Sequence, residues 1–160
     1  MKKTAILGLL SLMVLGQAFS QTKQNIKNSK KDNPESTAVK SGKISRVLSM
    51  FTATDSNDAD KFVAHLTPDV TYHSANAKTL VGREAVKNQV LDFWPKMDGV
   101  IHHILNTFEV GDTVIVQFDM EYRRKDGTVV HIPCCDVLTF RGDLVSDFRI
   151  YIDIAPLYAK

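Results

Sequence analysis

The chain has 160 residues, 44% apolar and 24% charged, a composition suited to one globular domain plus an extension. Its formal charge of +2 hides a division: residues 1–43 carry eight Lys against two acids, and residues 44–160 carry twelve Lys or Arg against sixteen acids. The acidic remainder lacks the basic stripe of a nucleic-acid module, and two cysteines exclude a disulfide scaffold or a four-cysteine zinc module.

Lys2 and Lys3 precede an apolar run from Ala5 to Gly16, and Ala18 and Ser20 give a small-x-small pattern before Gln21. Residues 1–20 therefore read as a cleaved export signal, since the run is short for a span of roughly 20 apolar residues. The expected location is periplasmic or secreted, with no stable membrane anchor after cleavage. Residues 21–42 are rich in Gln, Asn, Ser and Lys, with Ile26 and Val39 as the only large aliphatics. Such a segment cannot bury enough apolar surface to offset its ordering entropy, so it reads as a disordered Lys-rich linker to a domain over residues 43–160.

Within the domain, Ile44, Val47, Leu48 and Phe51 share one helix face. Asp55 to Asp58 break that helix and cap a second one, with Ala59, Phe62, Val63 and Leu66 on its face and Pro68 at its end. Val70 to His73 form a short strand. Gly82 precedes a third helix in which Val86, Val90, Leu91, Phe93 and Trp94 are candidates for burial, and Pro95 stops it. Strands then follow: Val100 to Glu109, a strictly alternating strand from Val114 to Arg123, Val129 to Phe140, and Leu144 to Ile154. Gly111-Asp112, Asp126-Gly127 and Gly142-Asp143 supply the hairpin turns. Helices followed by a meander predict an α+β fold with the helices on one sheet face.

By period two, one face of the sheet should carry Val114, Val116, Phe118, Met120 and Tyr122, then Ile132, Cys134, Asp136, Leu138 and Phe140, then Phe148, Ile150 and Ile152. Asp136 is the one acid in these apolar sets. Burial there would favour its neutral form, which can donate a hydrogen bond; a structural carboxylate is the plainer reading. His102 and His103 are adjacent on a strand, so they face opposite ways. Parity does not decide which faces inward, because Val100, Ile104 and Phe108 compete with Ile101 and Leu105. Cys134 and Cys135 diverge in a strand and should not bond to each other. No His, Cys or carboxylate spacing suggests a metal site, and no Gly-rich phosphate loop implies a nucleotide cofactor.

The order of elements resembles the nuclear transport factor 2-like superfamily, and within it the SnoaL-like domain. The resemblance is carried by Asp58 to Phe62, Thr67 to Val70, Gly82 to Val86, Asp136 to Phe140 and Phe148 to Asp153. It implies a cone-shaped, curved antiparallel sheet with three N-terminal helices enclosing an apolar pocket, and a possible homodimer through the convex sheet face. The pocket would be lined by Met50, Tyr72, Trp94, Val116, Phe118, Met120, Tyr122, Cys134, Leu138, Phe148, Ile150 and Ile152. Asp136 falls where the superfamily's steroid isomerase keeps its oxyanion-stabilising Asp, a carboxylic acid held neutral by its site. The isomerase's oxyanion Tyr is replaced by Met50 and its general-base Asp by Ser74, with His73 beside it as a base candidate. Positions resembling the Arg and two Asp of the epoxide hydrolase hold Phe118, Met120 and Ile150. The expected function is binding of a small apolar molecule, with cofactor-independent isomerase, cyclase or lyase chemistry through an enolate-like intermediate if the protein is an enzyme. Asp136 would then be the acid and His73, His102 or His103 the base. The competing expectation is a non-catalytic interaction or dimerisation module.

Overall fold

The computed structural model describes residues 42–159. The export signal and almost all of the linker expected from the sequence lie outside the described residues, and among those described no helix is long and apolar enough to cross a membrane.

Helix α1 spans Gly42–Asp55 and buries Val47, Met50, Phe51 and Thr54, the face set by its i, i+3, i+4, i+7 spacing. Its end is a Schellman-type closure: Asp58 N–H donates to the Ala53 carbonyl and Asn57 N–H to that of Thr54, with Asn57 at a left-handed φ of 54°. Asp58 then caps helix α2 (Ala59–Ala64) by accepting from Lys61 N–H at 3.0 Å. The second helix is shorter than its periodicity suggests: Leu66 and Pro68 belong to strand β1 (Leu66–Ser74), with Leu66 opposite Val145 rather than on a helix face.

A two-residue strand, β2 (Leu80–Val81), leads to Gly82, whose φ of 93° turns the chain into helix α3 (Arg83–Phe93). α3 buries Val86 and Val90, but Leu91 is half exposed and points to solvent. Trp94 is buried in a 3-10 turn, Trp94–Lys96, which carries Pro95. Four long strands complete the sheet: β3 (Met97–Val110), β4 (Thr113–Arg124), β5 (Val129–Arg141) and β6 (Leu144–Ile152). A final 3-10 turn, Ala155–Tyr158, tucks in Leu157.

The six strands form one curved, open sheet in the order β2-β1-β6-β5-β4-β3. All neighbours are antiparallel except β1 and β6, which pair in parallel, Tyr72 opposite Phe148 and Ser74 opposite Ile150. The alternating set on β4, from Val114 to Tyr122, is buried throughout, as are Ile132, Cys134, Asp136, Leu138 and Phe140 on β5. These side chains and the inner faces of the three helices make one apolar core.

Strand β3 does not keep a single alternation. Its register to β4 shifts between Ile104 and Asn106, leaving Leu105 in a bulge. Before the bulge the even-numbered residues face the core, with His102 opposite Met120 and Ile104 opposite Phe118. Beyond it they face outward, with Phe108 opposite Ile115. This is why the two candidate parities of β3 compete in the sequence, and it settles His102 as the inward histidine.

Candidate functional site

A cavity of about 230 Å³ opens between the core face of the sheet and the helices. Its wall includes Phe51, Tyr72, Trp94, Phe118, Met120, Tyr122, Phe148, Ile150 and Ile152, with Asp136 and His102 as its ionisable groups of interest. The exposed residues Ala77, Lys78, Ile154 and Tyr158 contribute to its lining and mark the side that meets solvent. Met50, Val116, Cys134 and Leu138, expected on the wall, do not line it. The sheet's inner face carries more side chains than so small a void can contact, and these four are enclosed by packing on all sides.

Asp136 is 1% exposed, and its Oδ1 accepts from the Cys134 thiol at 3.5 Å. Burial drives its carboxyl well above the ordinary carboxylate range, and the Cys134 hydrogen bond opposes that only in part. Burial also pushes the Tyr72 and Tyr122 phenols up, and each feels in addition the charge that Asp136 would carry. The Cys134 thiol is raised for the same reasons, burial first and Asp136 second, which makes it an inert core group rather than a nucleophile. Burial thus favours the neutral form of Asp136 beside the cavity, the form in which a carboxyl can donate to a ligand oxygen.

His102 enters the cavity from β3. Its side chain is 5% exposed, and its Nδ1 lies 2.5 Å from Asp55 Oδ1 at the last residue of α1. The carboxylate is acceptor-only, so Nδ1 carries the proton and Nε2 is left as the basic nitrogen. The second Asp55 oxygen accepts the His102 backbone N–H at 3.4 Å. The ring is stacked on Phe51, with centroids 4.3 Å apart and planes 14° apart, and leans on Phe118. Tautomer, tilt and rotation are all held. Asp55 was missed in the sequence, where it reads as the polar break after α1. A carboxylate at a helix C-terminus opposes the helix dipole, and that misfit is the signal that it serves something else.

No hydrogen bond joins His102 to Asp136. His102 pairs with Met120 and Asp136 with Val116, so they approach the cavity two strands apart and four positions offset along β4. A bound molecule would lie between them.

The other two histidines of the expected set do not line the cavity. His73 alternates with Tyr72 and Ser74, which do; its ring instead meets Thr79 Oγ1 at 3.0 Å and Asp147 at 3.3 Å. His103 faces the opposite side of the sheet and bonds to Glu121 Oε2 at 2.7 Å. Glu121 is 8% exposed although its strand position is on the outer face, because His103 and Arg123 cover it. His131 joins the same cluster from β5, and His103, Glu121 and His131 offer donor atoms within 4.8 Å of one another. Their sequence spacing gives no hint of this, since three separate strands bring them together.

The comparisons with known proteins agree with this architecture. The SnoaL-like domain model matches residues 47–148. The chain belongs to the SnoaL-like domain family. Among solved structures it is similar to TerC co-crystallised with polyporic acid, with 18% identity over 74% of this chain and 96% of that one, and a TM-score of 0.68. A putative SnoaL-like polyketide cyclase from Jannaschia sp. CCS1 shares 15% identity over 80% of this chain and all of its own, with a TM-score of 0.66. An epoxide hydrolase of M. tuberculosis, described as LEH-like, shares 17% identity over 73% of this chain and 86% of its own, with a TM-score of 0.65. No curated protein matches the sequence. At such identities these likenesses carry the SnoaL-like fold and leave the reaction to the site itself.

Proposed function

We propose that this SnoaL-like domain binds a small, largely apolar molecule in its cavity and moves a proton on it. His102 is the base, Asp55 fixes its tautomer, and neutral Asp136 donates to the oxygen where negative charge develops. The observation that carries the reading is that one apolar cavity holds both an oriented His–Asp pair and a buried carboxyl whose charged form its surroundings disfavour. The carboxyl whose charged form burial disfavours suits the acid, and the imidazole that a carboxylate orients suits the base. An apolar cavity of about 150 Å³ takes benzene, so one of about 230 Å³ suits one or two rings. A ring ketone with an acidic α-hydrogen fits: His102 Nε2 removes the α-proton, the carbonyl oxygen becomes enolate-like, and Asp136 stabilises it. Return of the proton to another carbon is isomerisation, loss of a β-substituent is a lyase reaction, and attack on a second carbonyl is cyclisation. The export signal read from residues 1–20 would put this chemistry in the periplasm or outside the cell.

The test is a thermal-shift screen of the protein against small ring ketones and polyketide-like aromatics, followed by deuterium exchange at the α-carbon of each ligand that stabilises it. Exchange that disappears in His102→Gln supports the proposal. Binding without exchange refutes the proton transfer and leaves a binding module. The second reading, association through the convex sheet face, is favoured by the exposed apolar side chains Phe108 and Val110 on β3 and Tyr151 on β6. Sedimentation of the protein with and without Phe108→Lys distinguishes it.

A further inference from the structure

We propose that the convex face of the sheet carries a site for one divalent transition-metal ion of the zinc type, held by His103, Glu121 and His131. It is separate from the cavity, since His102 and His103 leave β3 on opposite faces.

Three adjacent strands build the site. Glu121 on β4 is the anchor, its side chain only 11% exposed and wedged between its neighbours. Its Oε1 accepts from Arg123 Nε at 2.7 Å, which leaves Oε2 for the ion. His103 on β3 already places Nε2 at 2.7 Å from that Oε2, where a proton now occupies the line a metal would take. His131, opposite Glu121 on β5, has its Nδ1 2.5 Å from Asp119 Oδ2. That bond commits Nδ1–H to the carboxylate and frees Nε2 as the donor nitrogen. A histidine whose second nitrogen is tied to a carboxylate is the usual outer support of a metal-bound imidazole. The two rings lie nearly parallel, 5.9 Å between centroids and 27° between planes, on either side of Glu121.

One ligand atom from each of the three residues lies within 4.8 Å of the other two. Bonds of about 2.0–2.1 Å from a tetrahedral zinc ion bring ligand atoms to roughly 3.3 Å apart. The closure falls on His103 and His131, whose side chains are 48% and 51% exposed, while Arg123 holds Glu121 in place. Two imidazoles and one carboxylate suit a borderline cation such as zinc better than calcium or magnesium, which prefer all-oxygen sets. Exposure of both histidines gives the ion an entry path, and the fourth position faces solvent.

The test is calorimetric titration of the metal-free full chain with zinc chloride. The expected result is one ion per chain, a rise in Tm that EDTA reverses, and histidine nitrogen spectra with the Nε2 atoms of His103 and His131 as the coordinated ones. His103→Ala and His131→Ala should each weaken binding at least tenfold, and Asp119→Asn by roughly 10–100-fold through loss of support for His131. His65→Ala and Cys135→Ser should leave it unchanged. Should an alanine variant lose its folded circular-dichroism spectrum, His103→Gln and His131→Gln replace it. No binding to the wild type, a stoichiometry of one ion per two chains, or binding that survives both histidine variants overturns the proposal.

Discussion

Replacing Asp136 by Asn should make the protein more stable, and increasingly so as the pH rises. Asp136 is 1% exposed, and its carboxyl sits well above the ordinary range because burial penalises its charged form. In the unfolded chain the same group titrates near about 3.9. Between that pH and the folded pKa, the folded state keeps a proton that the unfolded state releases. Stability of the wild type therefore falls by about 1.4 kcal/mol for each pH unit across that window and levels off above it. For a domain of this size each unit corresponds to about 5 °C in Tm. Asn keeps the shape and the acceptor for the Cys134 thiol but has no proton to hold. The neighbouring groups do not blur the signal, since Tyr72, Tyr122 and Cys134 are all raised and stay neutral through the window. Urea denaturation of both proteins from pH 4 to 9, followed by the fluorescence of Trp94, the one tryptophan, measures the difference directly. The pH at which the two curves stop diverging is the folded pKa of Asp136. Curves that run parallel from pH 4 upward would show that Asp136 folds in its charged form, and the assignment of a neutral acid would fall with it.

Phe118 is 1% exposed and touches both Phe51 and His102, so Phe118→Ala should cost about 3–5 kcal/mol in denaturant unfolding and enlarge the cavity. Asp55→Ala removes a hydrogen bond to a nearly buried imidazole and should cost about 1–3 kcal/mol, measured in the same way. For any ligand that exchanges its α-proton, His102→Gln should lower the exchange rate by roughly 10²–10⁴ while leaving its affinity within a few-fold, a split read from exchange kinetics and titration side by side.

Much of the sheet was legible because β4 and β5 are buried on one face only. Val114 to Tyr122 and Ile132 to Phe140 alternate without interruption, and one acid inside such a set announces itself, which is how Asp136 could be singled out. The base was not legible, for a local reason. The Leu105 bulge reverses the phase of β3 halfway along, so averaging over the whole strand erases the parity that distinguishes His102 from His103. Asp55 was hidden because its partner lies 47 residues away, and a polar residue after a helix ordinarily means only that the helix ends. The convex cluster was hidden because its members come from three strands. The excess of cavity-wall candidates, with Met50, Val116, Cys134 and Leu138 in the packed core instead, shows that alternation gives the face of a side chain and not whether space lies beyond it.

The parallel contact between β1 and β6 has a consequence for the order of events as the chain folds. It joins residues about 76 positions apart, Tyr72 to Phe148 and Ser74 to Ile150, whereas β3 to β6 are successive hairpins. Short hairpin loops close early and distant pairings late, because the entropy of closing a loop grows with its length. The meander can therefore assemble first, with Asp136 open to water and ionised. Only when the helices and β1 close over the inner face is the carboxyl shut away and made to take up a proton. Protonation of Asp136 is then a marker of the final step of folding, and refolding in alkaline solution should be slowed at that step.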